Sequence, residues 1–173
     1  MRGTKKKILL QTMPHTGTHM AHYLFGVLGG IEIVWHHWEK ACLKDIYIAR
    51  DMDWSDFVFV RTYRETLETV RAYKEHAVTS EAGAKYYVDC ADVFAQYRRN
   101  FPRPIILELG DNQQMTSAAR EVFYRCGVVP PEEALNYMTT WEKINSTQDD
   151  KELPNAAIKS SLKKGKVSTW HTN

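Results

Sequence analysis

The chain has 173 residues, 43% of them hydrophobic and 25% charged, with a formal net charge of +2. That length fits one domain with a real core, the composition excludes a disordered chain, and so small a charge gives no argument for nucleic acid. No run of about 18 apolar residues occurs, so nothing is expected to span a membrane.

In chain order, Lys7 to Met13 reads as a short buried strand, with Ile8, Leu9 and Leu10 leading to a proline and a glycine. Thr18 to Leu28 carries apolar residues at helical spacing (Met20, Ala21, Leu24, Phe25, Leu28) and stops at Gly29-Gly30. Ile31 to Trp35 is a second strand, and Asp56 to Arg61 a third, its unbroken apolar run typical of burial on both faces. Arg64 to His76 follows as a helix, and Tyr86 to Asn100 as another. Pro104 to Leu109 is a fourth strand. Thr116 to Cys126 is a helix closed by Gly127, and Pro131 to Ile144 a further helix with a favourable Pro-Pro-Glu-Glu first turn. Asn145 to Pro154 turns polar and is expected to be a mobile loop, extending to about residue 162. The Lys- and Ser-rich segment 163–173 has no predicted element to sit on. Strands alternating with helices imply a single α/β domain over 1–173, with a central parallel sheet of about four or five strands between two helical layers.

The histidines show no HExxH or Cys/His knuckle, so no metal is expected. Cys42, Cys90 and Cys126 are odd in number, with no CxxC pair, which fits reduced thiols in a cytoplasmic protein. The run Ile8-Leu9-Leu10 is too short for a signal peptide.

Three segments carry the candidate chemistry. Met13-Pro14-His15-Thr16-Gly17-Thr18-His19 turns from the first strand into a helix. Gly17 permits close backbone approach, while Thr16, Thr18 and the first-turn amides can donate to an anion. The loop lacks GxxxxGK[ST], which disfavours an ATP- or GTP-hydrolysing P-loop; an ordinary strand–helix turn with a threonine cap is the plain alternative. Arg61 ends the third strand, and Thr69 lies eight residues further, on the next helix. Lys163-Lys164-Gly165-Lys166-Val167-Ser168-Thr169-Trp170 is either a solvated basic tail or a segment that folds back over the site.

Together these segments resemble the sulfotransferases that use 3′-phosphoadenosine 5′-phosphosulfate (PAPS). That family's first loop reads Pro-Lys-Ser-Gly-Thr-Thr, against Pro14-His15-Thr16-Gly17-Thr18-His19 here. Ser to Thr keeps the hydroxyl; Lys to His removes the cation that holds the leaving phosphate. The resemblance implies that Arg61 and Thr69 bind the 3′-phosphate, with Thr in place of the family's Ser. It implies that Lys163, Lys164 and the Gly165 amide close the cofactor site, although Lys, Ser168 and Thr169 stand where the family has Arg, Gly and Asp. It implies that Thr139 and Trp141 hold the adenine, with Met20 at another adenine-contacting position. It implies a histidine base after the second strand, where Val34-Trp35-His36-His37-Trp38 lies; His37 is the best match, His36 is adjacent, and Glu39 is a fallback. His15 and His37 would then flank the sulfuryl group.

The implied architecture is the P-loop-like sulfotransferase fold, and the implied co-substrate and product are PAPS and adenosine 3′,5′-bisphosphate (PAP), with no metal. The acceptor is a small molecule or glycan bearing a hydroxyl or amine. The chain is short for the family where larger relatives carry acceptor-binding insertions. Two alternatives stand beside this reading: a catalytically impaired PAPS- or PAP-binding module, and a nucleotide-dependent kinase on a related fold, which the missing Walker lysine disfavours.

Overall fold

A computed structural model describes residues 6–13, 15–37, 54–97, 102–141 and 167–169. Its strands are β1 (Lys7–Thr12), β2 (Ile33–His37), β3 (Phe57–Tyr63), β4 (Ile105–Glu108) and β5 (Val167–Thr169). They form one five-stranded sheet in the order β4-β3-β1-β2-β5, and every pairing is parallel. Its helices are α1 (Thr18–Ala21), running on as a π-helix (His22–Leu28), then α2 (Thr66–His76), α3 (Ser80–Tyr97), α4 (Asn112–Arg125) and α5 (Glu132–Thr140).

Alternation along the strands sends side chains to two faces. Ile8, Leu10, Ile33, Val58, Val60, Ile105 and Leu107 share one core with Leu24, Phe25, Met115, Val122, Phe123 and Met138, which come from the π segment, α4 and α5. Each fully buried aliphatic side chain there contributes about 1.5–3 kcal/mol. Leu9, Val34 and Phe59 pack on the opposite face with Trp54 and Phe57. Met13 joins Tyr73 of α2 and Cys90 of α3, with Tyr87 and Phe94 beside them. Helices thus lie against both faces, which is an α/β fold consistent with three layers. No helix among the described residues is long and apolar enough to cross a membrane.

The strand order contains a reversal. From β1 the chain goes to β2 on one side, then returns past β1 to β3 on the other. Such a reversal opens a crevice at the carboxyl ends of the two strands that flank it, here β1 and β3.

Several boundaries differ from the sequence expectation. β3 continues through Thr62 and Tyr63, because Tyr63 still pairs with Glu108 and its carbonyl accepts from the Leu109 amide. α3 begins at Ser80, where the Thr79 hydroxyl accepts from the Ala82 amide (3.1 Å). α4 begins at Asn112, where Asp111 caps the Gln114 amide (2.9 Å). α5 stops at Thr140, because Trp141 adopts φ 47°. The helix after the first loop is α-helical for only one turn, and a bond from the Gly29 amide to the Leu24 carbonyl (3.0 Å) closes the π segment. Residues 167–169, expected to lack an element, form the edge strand β5; the loop expected at 145–162 lies outside the described residues. Cys90 and Cys126 are buried free thiols, and burial pushes the Cys126 pKa up to about 11; Cys42 lies outside the described residues.

The opposite edge is closed by a side chain. Gln114 Nε2 donates to the Ile106 carbonyl (2.7 Å), and its Oε1 accepts from the Glu108 amide (2.9 Å). A neighbouring parallel strand would engage the same alternating pair of backbone groups, so the amide stands in for one. Gln114→Ala is expected to cost about 1–2 kcal/mol and to raise the average mass in sedimentation as concentration rises. A boundary identical to the parent's at every concentration would show that this edge is protected some other way.

Candidate functional site

The crevice between β1 and β3 is lined from both strands and from the loop after β1. Gln11 is fully buried, and its Oε1 accepts from Arg61 Nη2 at 3.0 Å across the two strands, whose register pairs these residues. The Arg61 guanidinium also lies over the Phe94 ring of α3, 4.9 Å from its centroid. Arg61 is therefore held on two sides while partly exposed. It sits within β3, two residues before the strand ends. Gln11 Nε2 is buried and has no hydrogen-bond partner among the described residues.

The loop is fixed from within. The Thr16 hydroxyl donates to the Met13 carbonyl (2.7 Å) and lies 3.0 Å from the Thr62 hydroxyl, which ties the loop to β3. Gly17 has φ 95°, a conformation that favours glycine, and a Cβ there would push on the flexible Leu109 methyls at 2.9 Å. Gly17 caps α1, and its carbonyl accepts from the Ala21 amide (3.1 Å). The Thr18 hydroxyl, at the helix start, is buried with no partner among the described residues. His15 has φ 63°, and its ring meets Tyr73 edge-on, 5.0 Å between centroids. Burial lowers the His19 pKa, so that imidazole is uncharged at neutral pH.

The second strand brings its histidines to the same end of the sheet. His36 pairs in register with Gln11, and His37 with Thr12, the last residue of β1 before the loop. The backbones of both candidate bases thus lie at the carboxyl end of β1, on the side of that strand away from β3. Glu39 lies outside the described residues.

The other expected ligands among the described residues have their polar atoms bonded elsewhere. Thr69 keeps its spacing from Arg61 but is 3% exposed, and its hydroxyl donates to the Glu65 (2.9 Å) and Arg64 (3.3 Å) carbonyls of its own helix start. The Thr139 hydroxyl donates to the Asn136 carbonyl (2.7 Å). Trp141 is a core residue: it is 9% exposed, packs edge-on against Tyr137, and gives its indole N–H to the Thr116 hydroxyl (2.9 Å). Met20 belongs to the same core. Lys163, Lys164 and Gly165 lie outside the described residues. β5 runs parallel to β2, with Val167 level with Ile33.

Four participants escaped the sequence reading: Gln11, Thr62, Arg64 and Phe94. Gln11 carried a usable signal, a polar residue continuing the apolar run Ile8-Leu9-Leu10. A separate groove of about 720 Å3 runs between β4 and α4, lined by Arg103, Ile106, Gln114, Ser117, Glu121 and Arg125 among others. None of the crevice residues lines it, and its charges are of both signs. Among the described residues, no three His, Cys, Asp or Glu side chains come together to hold a metal ion.

The fold defines the class: an all-parallel α/β protein with polar groups gathered at its strand reversal. No family model, no curated protein and no solved structure matches the chain.

Proposed function

We propose that the chain binds a 3′-phosphorylated adenine nucleotide in the β1–β3 crevice and transfers the sulfuryl group of PAPS to a hydroxyl or amine, on a P-loop-like sulfotransferase fold. The observation that carries this reading is the convergence of the loop after β1 with Arg61 at the strand reversal, where α/β sheets hold ligands. Arg61 offers a planar cationic fork suited to the 3′-phosphate. The loop amides and Thr18 face the 5′ side, aided by the helix dipole.

In this mechanism His37 accepts the acceptor's proton as its oxygen or nitrogen attacks sulfur. The bond between sulfur and the bridging 5′-phosphate oxygen breaks, the electron pair stays on that oxygen, and PAP departs. The protein supplies position and charge, as in phosphoryl transfer. His36 is the neighbouring candidate base. The basic residues Lys163 and Lys164, with Gly165, are retained as candidates for closing the nucleotide site.

One observation favours the second reading, a PAP-binding module without turnover. The His15 ring is engaged by Tyr73, and the loop has no lysine.

Thermal denaturation with nucleotides tests the binding step that both readings share. PAP at one hundred times its Kd is expected to raise Tm by about 5–10 °C, from roughly 2.7 kcal/mol of ligand stabilisation. ADP, which lacks the 3′-phosphate, is expected to do much less. Equal shifts with PAP and ADP would remove Arg61 from the role of 3′-phosphate ligand. Transfer of sulfate from PAPS across a mixed acceptor library, read by mass spectrometry, then separates enzyme from binding module.

A further inference from the structure

We propose that Arg64 is the fixed positive charge of the first loop and meets the phosphate on the 5′ side of the nucleotide, the position for which the loop itself provides no lysine. The inference rests on the nucleotide reading above and adds a residue to it.

Arg64 follows β3 directly and stands before α2, so it belongs to the same strand end as Arg61. Its Nη1 donates to the His15 carbonyl at 3.4 Å, which brings the guanidinium against the loop. Its Nε pairs with Glu68 Oε2 at 3.1 Å, and its side chain is 27% exposed. Nη2 makes no hydrogen bond to the described residues. The side chain is therefore held beside the loop, yet keeps donor capacity unspent.

Both tethers are easily exchanged. The bond to His15 is long for a guanidinium–carbonyl contact. An i,i+4 ion pair whose acid is mostly exposed is a weak restraint. A phosphate dianion offers the same fork shorter, charge-assisted bonds. No side chain among the described loop residues is a lysine or arginine. The His15 ring packs on Tyr73, burial keeps His19 neutral, and the Thr16 hydroxyl is spent on Met13. The charge that the motif lacks at His15 is thus supplied by an arginine from the turn between β3 and α2.

Titration calorimetry with three probes tests this: adenosine 3′,5′-bisphosphate, adenosine 5′-monophosphate and adenosine 3′-monophosphate. Arg64→Gln is expected to weaken the two probes with a 5′-phosphate by at least tenfold and to leave the 3′-monophosphate within twofold. Arg64→Lys should retain most of the affinity. Glu68→Gln, which removes the competing carboxylate, should tighten the bisphosphate. His15→Lys in the Arg64→Gln background should restore 5′-phosphate binding. If Arg64→Gln weakens the 3′-monophosphate as much as the 5′-monophosphate, Arg64 only shapes the loop through His15, and the proposal is overturned. Unchanged binding of all three probes overturns it too. If the parent protein binds none of them, the nucleotide reading itself fails and takes this inference with it.

Discussion

Replacing His37 by alanine is expected to lower PAPS-dependent turnover by about 10²- to 10⁴-fold, the range over which a positioned general base contributes, while PAP affinity stays within twofold. The register places the His37 backbone beside Thr12, the last β1 residue before the loop to which the proposal assigns the leaving phosphate. β2 lies on the far side of β1 from β3, which is why binding and turnover should separate. On the proposed mechanism, the parent protein's kcat should fall on the acidic side of its pH profile, since only a neutral imidazole accepts a proton. That acidic limb should vanish in the variant. Surviving turnover with the limb intact would move the base to His36 or Glu39, and the same measurement on His36→Ala and Glu39→Gln would decide between them.

Arg61→Ala is expected to weaken PAP about a hundredfold, on the order of 3 kcal/mol for two charge-assisted hydrogen bonds. The structure predicts a second effect. Gln11 Oε1 is buried and accepts from Arg61, so the variant strands it, at about 1–3 kcal/mol. Phe94 also loses its cation. A lower Tm by itself therefore says nothing about ligand binding. The decisive quantity is the preference for PAP over 5′-AMP, which a general loosening would leave in place. The preference should disappear in Arg61→Ala and return in part in Arg61→Lys. A variant that still discriminates between the two nucleotides would place the 3′-phosphate elsewhere.

The sheet was readable because each inner strand is a short apolar run closed by turn residues, and four of the five strands were expected within about two residues. The capped helix starts were readable in principle. Thr79-Ser80-Glu81 and Asp111-Asn112-Gln113-Gln114 both carry N-cap signals, and apolar spacing further along the chain drew attention from them. The end of α5 was not readable, because Trp141 takes a left-handed conformation that no glycine announces. β5 was hidden by its composition: Val167-Ser168-Thr169 is too short and polar to register as a strand without its partner.

At the site, spacing located residues along the chain but did not say where their polar atoms point. Thr69 lies at the expected interval, yet turns its hydroxyl onto its own helix; Trp141 lies at the expected helix end, yet buries its ring. Gln11 and Arg64 were overlooked for the converse reason. Gln11 showed only as a polar residue after an apolar run, and the bonds from Arg61 to Gln11 and from Arg64 to His15 join segments far apart in sequence.

The outermost ladder, β2 against β5, joins segments separated by most of the chain. Closing so wide a loop is a slow, non-local event, whereas β1 and β2 can meet as soon as the first crossover helix has formed. During synthesis the outer rim of β2 must then wait, with its amides and carbonyls unoccupied, until Val167 has emerged. A nascent chain stalled before that point would offer a ready template to its neighbours, and co-translational aggregation would be its natural failure mode.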